Sequence, residues 1–372
     1  MIDYFVGTEA DLLRRGRSLL GKIPSKLPRE FHLLAQRCRD DLAKDLDDLQ
    51  TLGKLPPNAR LRKLKRIVAH IDFLEVNGFA ALNRANDDDK NVNILIGRIV
   101  EEINYPLLPP VVTLLSQSYF SIWPTLGLLR VPLGEVDSLL HLPDLYHELA
   151  HPFVDDQYDP RVQPFRDALG RGLSVVEAYI AGELERESRS RGPRTLSLYL
   201  TTWLESWTES WLEELFCDLF ATITLGPAFV WAHLHLCTKR GLNPYDVPLH
   251  VPTTHPADDA QMTIMLTALR CIGFSDDADQ IAARWHELVE ISNYHPDAEF
   301  QRCYPLSLLE SLSQVTYKGV AAMGCRIAHP ETSDLVHDTL NGAWKEFWRA
   351  PAAYPVWEEA AVSRLRGKLT TD

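Results

Sequence analysis

The 372-residue chain has six cysteines, at 38, 217, 237, 271, 303 and 325, and no CxxC pair among them. Scattered cysteines make neither a cysteine zinc site nor a disulfide framework, and they suit reduced thiols in a cytoplasm. A long unbroken apolar run is also missing. The longest, Leu215 to Ala232, contains Asp218 and is interrupted by Gly226-Pro227. It is too short and too broken for a membrane span, so no membrane insertion is expected. The stretch MIDYFVGTEADLLRRG lacks a basic segment followed by an apolar one, and no secretory signal is expected. Positive charge is scarce: 38 Lys and Arg face 51 Asp and Glu, a net of −13. Residues 1–105 carry 18 basic and 16 acidic residues, whereas the remainder carries 20 and 35. An acidic body argues against nonspecific nucleic-acid binding. The sequence has no glycine-rich phosphate loop, no Ser or Cys nucleophile elbow, no internal repeat and no low-complexity segment.

What is present is enough apolar material for a real core, with 45% hydrophobic and 9% aromatic residues. Between residues 8 and 105, apolar residues recur at three and four in LLRRGRSLLGKI, FHLLAQRCRDDLAKDLDDLQTL and LRKLKRIVAHIDFLEVNGFAAL, which predicts helices. LPPNAR predicts a helix–helix turn. RLRKLKR reads as a solvated helix face with core leucines rather than a docking patch. Residues 106–134, rich in β-branched and aromatic residues and punctuated by Pro and Gly, predict two or three short strands. Helices dominate again from about 138 to 235. GLNPYDVPLHVPTTHPADD predicts a long loop, and two or three helices are expected after it. The expected organisation is a helical region over 1–105, a central region over 106–275 and a helical region over 276–372.

HELAH, residues 147–151, is the first half of a candidate site. Leu139, Leu142, Leu145 and Leu149 fall at helical spacing around it. Residues four apart share a helix face, so His147 and His151 can bind one metal ion and Glu148 can reach a water beside it. Zinc lowers the pKa of such a water toward neutrality, and the glutamate takes its proton. Pro152 disfavours helical geometry at His151 and predicts a kink or an end there.

A catalytic zinc usually takes three protein ligands and leaves a position open. HPFVDDQYD has neither the glycine nor the third histidine of the metzincin pattern, so the third ligand must come from elsewhere. WLEELFCDLFA, residues 211–221, offers two adjacent glutamates and an aspartate in an apolar run. At roughly 100° per residue, with Glu214 at zero, Trp203, Trp207 and Trp211 fall at about −20°, 20° and 60°, and Asp218 at about 40°. Ser210, Cys217 and Ala221 lie beside them and permit close approach of another helix. Glu205, Glu209 and Glu213 fall at about 180°, 220° and 260°, on an acidic, solvated stripe. Two carboxylates on a buried face cost several kcal/mol unless partnered. Glu214 is therefore expected to ligate zinc, with Asp218 accepting the N–H of a ligating histidine. The alternatives are that Asp218 caps another helix and Glu214 pairs with an arginine, or that Glu177 is the third ligand, although it has an alanine four residues on. His233 and His235, two apart on a helix, diverge and make weak ligands. The tryptophans read as packing. Tyr146, Tyr179 and Tyr245 are open candidates for an oxyanion donor.

HExxH followed by ExxxD on a later helix resembles the gluzincin peptidases. The 62 residues between His151 and Glu214 are similar to the spacing in the HtpX and CaaX prenyl-endopeptidase branch, and TTHPADDAQM resembles the Thr-His-Pro segment of that branch. The branch usually has an arginine six residues after that histidine; here Gln261 stands there. The branch's best-known members carry membrane helices, which this chain lacks. The resemblance covers about 138–266. It implies a mainly α (α+β) protein with a zincin-like core and a small antiparallel sheet, flanked by helical regions. It also implies Zn2+ held by His147, His151 and Glu214, with Glu148 as general base and Asp218 behind the ligands. His255 either lies near the substrate or belongs to a helix cap. The expected activity is hydrolysis of a peptide or protein substrate, with an edge strand somewhere in 117–131 holding the peptide. A zinc-bearing regulatory or binding protein without efficient turnover is the alternative, and a helical scaffold with no metal is a second.

Overall fold

The computed structural model describes residues 2–85, 87–116, 119–155, 159–189, 195–241 and 243–370. They are mainly helical, with one small sheet, and the chain divides into two compact units. The first comprises Met1–Ile96 and Pro109–Val136, and the second Gly97–Leu108 and Asp137–Asp372. This partition differs from the three consecutive regions expected. The sheet belongs with the amino-terminal helices, because Val111, Leu126 and Leu128 share a core with Leu34, Cys38 and Leu42.

In the first unit, α1 (Ile2–Leu20), α2 (His32–Thr51), α3 (Pro57–Phe73), α4 (Ala80–Arg84) and the first part of α5 (Asp87–Glu102) follow the three-four apolar spacing. Leu34, Cys38, Leu42, Leu46 and Leu49 of α2 are all buried. Pro57 occupies the first turn of α3, where its missing N–H costs nothing. The RLRKLKR run is part of this packed helix: Arg60 is held by Glu9 at 2.6 Å, Lys63 by Asp48 at 2.7 Å, and Leu64 and Ile67 enter the core. Gly78 is needed for close approach, since a Cβ there would collide with the Cys38 sulfur.

The sheet is mixed, not antiparallel as expected. Its strands β1 (Val111–Ser116), β2 (Ser121–Trp123) and β3 (Leu128–Pro132) lie in the order β1-β3-β2. β1 runs parallel to β3 with Val112 opposite Leu129, and β2 runs antiparallel to β3 with Ile122 opposite Leu129. β2 occupies the return path, so β1 and β3 point the same way. Asn93 of α5 bonds both the N–H and the carbonyl of Val112, at 2.8 and 2.7 Å, and Asp89 accepts the Leu114 N–H at 2.8 Å. Side chains thus cover the outer edge of β1. Within 117–131 the edge strand is β2, three residues long; residues 117–118 lie outside those described. The sheet belongs to the first unit and the HELAH segment to the second.

The second unit contains α6 (Asp144–Glu148), α7 (His151–Asp155), α8 (Gln163–Arg189), α9 (Thr195–Ser206), α10 (Leu212–Leu225), α11 (Pro227–Arg240), α12 (Asp258–Cys271), α13 (Ser275–Ser292), α14 (Ala298–Cys303), α15 (Leu306–Ala322), α16 (Leu335–Arg349) and α17 (Tyr354–Leu369). Residues 241–257 carry no helix or strand among those described, as expected for the long loop. Six helices follow it rather than two or three, because short turns at Gly273, 293–297 and 304–305 divide what composition reads as continuous. α10 is the axis of this unit: every residue from Leu215 to Leu225 is buried, against α6, α8, α11, α12 and α15. The run 215–232 is two helices broken where Gly226 adopts φ 84° and Pro227 opens α11. Among the described residues, no helix is long and apolar enough to cross a membrane. All six cysteines are free thiols.

Candidate metal centre

Pro152 shapes the first half of the centre. It has no N–H to offer the Glu148 carbonyl, so the regular ladder cannot continue. α6 ends at Glu148, Ala150 N–H turns back to the His147 carbonyl at 3.0 Å, and α7 begins at His151. The Leu149 carbonyl accepts the Tyr105 hydroxyl at 2.8 Å instead of a helical N–H. The expected kink is therefore real, yet it leaves the two imidazoles together. Their Nε2 atoms are 3.3 Å apart, with the rings near perpendicular at 70°.

α10 supplies the acids. A π-helical turn, Trp207–Trp211, precedes it, so the uniform 100° step does not hold across 203–214. Glu214 nonetheless reaches the imidazoles: its Oε2 lies 3.4 Å from His147 Nε2 and 3.7 Å from His255 Nε2. Asp218 Oδ1 accepts from His147 Nδ1 at 2.8 Å, and its Oδ2 accepts from Gln261 Nε2 at 2.8 Å. Neither an arginine partner for Glu214 nor a capping role for the Asp218 side chain is needed to account for these acids.

Glu213 departs from expectation. It does not simply continue a solvated stripe: its Oε1 accepts from His151 Nδ1 at 3.0 Å, and its side chain is only 34% exposed. The break before His151 turns that ring toward the preceding residue of α10. Both glutamates of the pair are thus used, one facing the imidazole Nε2 atoms and one behind His151. Asp218 does for His147 what Glu213 does for His151.

These bonds fix the tautomers. With each Nδ1–H donated to a carboxylate, each imidazole in its neutral form presents an Nε2 lone pair. From His147 Nε2, the His151 Nε2 lies at 3.3 Å and Glu214 Oε2 at 3.4 Å, but Glu214 makes no ion pair with His151, and the donor atoms grouped within 4.8 Å of one another are those of His147, His151 and Cys217. Without a cation or a shared proton, the two contacts at His147 Nε2 are repulsive. A tetrahedral zinc with bonds of about 2.0–2.1 Å sets its ligand atoms roughly 3.3–3.4 Å apart, so both separations at His147 match the ion, and Glu214 would have to move nearer His151 to complete the set. In the ion-free protein, burial pulls the His147 imidazole down, but hydrogen bonds with Asp218 and Glu214 outweigh it and hold the pKa well above 6.5. Burial likewise pushes Glu214 and Asp218 up, yet the His147 bond and charge leave both below their ordinary range.

Glu148 is buried beside His147, and its charge acts on the Cys217 thiol of α10. Cys217 was expected only to permit close helix approach. Its sulfur also lies within 4.8 Å of a ring nitrogen of His147 and of His151. Burial, reinforced by Glu214 and Glu213, pushes the thiol far above its usual pKa and keeps it protonated.

The Thr-His-Pro loop is pinned from below by the tryptophans. Trp203, Trp207 and Trp211 are fully buried, as packing residues should be. Trp211 Nε1 donates to Thr253 Oγ1 at 3.1 Å, and Trp203 Nε1 to the Pro248 carbonyl at 2.9 Å. His255 keeps 55% of its side chain exposed, with Thr254 Oγ1 2.9 Å from its Nδ1. It does not cap α12: the capping residue is Ala257, with no side-chain bond. Of the three tyrosines, Tyr179 donates to the Arg302 carbonyl at 2.5 Å and the Tyr245 ring packs on Phe300. Burial raises the Tyr146 hydroxyl well above its ordinary pKa, and the charges adding to this are Glu102 and Asp334, not the acids of α10. Glu177, in α8, shows no bond to either histidine. His233 and His235 do diverge, the second packing on His141 and Trp344. No protein-family model, curated protein or solved structure matches the chain.

Proposed function

We propose that His147, His151 and Glu214 hold a zinc ion and that the protein hydrolyses peptide bonds. One observation carries this reading: His147 Nε2 faces the His151 Nε2 at 3.3 Å and Glu214 Oε2 at 3.4 Å, and each histidine is backed by its own acid. Bound there, zinc supplies the charge that brings the pKa of water to about 7 and polarises a carbonyl. Asp218 and Glu213 hold the imidazoles in the tautomer that presents Nε2. Glu148 accepts the proton of the attacking water and delivers it to the leaving amine. When the Thr254 hydroxyl donates to Nδ1 of His255, Nε2 carries the proton and can donate to the carbonyl oxygen of a substrate. The likeness to gluzincins is proposed for the two helices and the Thr-His-Pro loop.

One observation favours the alternative of a zinc-binding protein without turnover. Gln261 is neutral, and its amide is committed to Asp218. The two readings part at Glu148→Gln. On the peptidase reading this variant keeps its metal and loses cleavage of a broad peptide library by a factor of at least about 100. Cleavage retained in the variant, or no cleavage by metal-loaded wild type, would rule the peptidase reading out.

A further inference from the structure

We propose that His233, Cys237 and Asp258 form a second cation site, for a thiophilic divalent ion such as zinc. The two α11 residues lie one turn apart, and both are only 5% exposed. His233 Nε2 and Cys237 Sγ are 3.4 Å apart. With a carboxylate oxygen of Asp258, the first residue of α12, the three donor atoms all lie within 4.8 Å of one another. Zinc with an N bond of about 2.0–2.1 Å and an S bond of about 2.3 Å sets those two atoms roughly 3.5 Å apart. Thiolate and carboxylate together balance a dication, and binding releases the thiol proton to solvent. Asp258 is half-buried, which leaves the site a path to water.

No residue is shared with the HELAH centre, so this inference does not rest on the peptidase reading. The same three residue types could also suggest a nucleophilic triad. The thiol is too deeply buried for that, and burial holds it protonated. The plainer rival is a closed network without an ion, in which the thiol donates to Asp258. The charges facing His233 are Asp218 from α10, Asp258 from α12 and Arg240 from α11. Arg240 opposes a cation, and the two acids favour one.

The test is reconstitution of metal-stripped full-length protein with Cd2+. Bound ions are counted after gel filtration, and the sulfur-to-metal charge-transfer absorption is recorded. Wild type should take up two ions per chain and show the absorption. Cys237→Ser and His233→Gln should each lose one ion, and Cys237→Ser should lose the absorption. Glu214→Ala should lose the other ion and keep the absorption. If wild type takes up one ion, and Cys237→Ser retains it, the second site does not exist. The same conclusion follows if Cys217→Ser abolishes the absorption while Cys237→Ser leaves it. If wild type takes up one ion and loses it in Cys237→Ser but not in Glu214→Ala, the HELAH centre fails and this site stands. Should Cys237→Ser fail to fold, His233→Gln and the wild-type count carry the test.

Discussion

Among the described residues, each unit holds a short bond between a histidine Nδ1 and an aspartate from a distant part of the chain. In the first, His70 Nδ1 meets Asp45 Oδ2 at 2.6 Å; in the second, His147 Nδ1 meets Asp218 Oδ1 at 2.8 Å. The pairs differ in what surrounds them. The His70 ring is 39% exposed and reaches solvent, and its aspartate is pushed above its usual pKa by burial. His147 is 16% exposed, and its second nitrogen faces another imidazole and a carboxylate. A histidine–acid pair is therefore not a metal site in itself. What sets His147 apart is its far nitrogen, which faces a second imidazole and a carboxylate oxygen, an arrangement that a cation or a proton relieves.

Removing the carboxylate at that nitrogen should separate the two pairs most sharply. Glu214→Ala is expected to weaken zinc binding at the HELAH centre more than about 100-fold, beyond the range typical of an outer partner. Asp45→Asn should leave metal content unchanged and cost only about 1 kcal/mol in a denaturant melt, because its partner is part-exposed. Competition with a chromophoric chelator reads the first and urea unfolding the second.

The outer acids should rank by burial. Asp218→Asn is expected to lower zinc affinity about 10- to 100-fold. Glu213→Gln should cost less than about tenfold, since its side chain is 34% exposed against 3% for Asp218. Equal losses in chelator competition would mean that exposure does not set the strength of these supports.

The pH dependence follows from the sign of one shift. The His147 imidazole is held above 6.5 in the ion-free protein. The stability its proton brings is fully present below that value and fades as pH rises through the raised pKa. Zinc competes with that proton, so zinc affinity should climb as pH is raised from about 6 to about 8. The thermal stability of metal-stripped protein should carry an opposing contribution over the same window. Titration of zinc binding at several pH values, beside thermal melts, checks both.

The smallest effect concerns the loop. Trp211→Phe keeps the packing and removes the bond to Thr253. Peptide cleavage should fall only a few-fold, with metal content unchanged, as expected for one lost neutral hydrogen bond.

How much of this was readable from the chain depends on range. Three-four periodicity gave the helices, because burial of one face is a local pattern. The pairing of Glu214 and Asp218 on one buried face also followed from helical angles, since α10 is regular after Leu212. Glu213 was misplaced for a reason outside its own helix: Pro152 breaks the HELAH segment and turns His151 toward it. The proline was visible; the direction in which it aims the ring was not. The parallel pairing of β1 with β3 was likewise hidden, since short strands in sequence suggest successive hairpins. The division into units escaped because both are discontinuous in the chain. His233 and Cys237 share a face of α11 four residues apart, but their third neighbour, Asp258, comes from the next helix and has no local signature in the sequence.

The most direct measurement is an anomalous-difference map at the zinc edge from crystals of zinc-loaded protein. A peak is expected about 2.0–2.2 Å from Nε2 of His147, Nε2 of His151 and Oε2 of Glu214. A map with no peak among those three atoms, and the Glu214 carboxylate turned to solvent, would contradict that coordination.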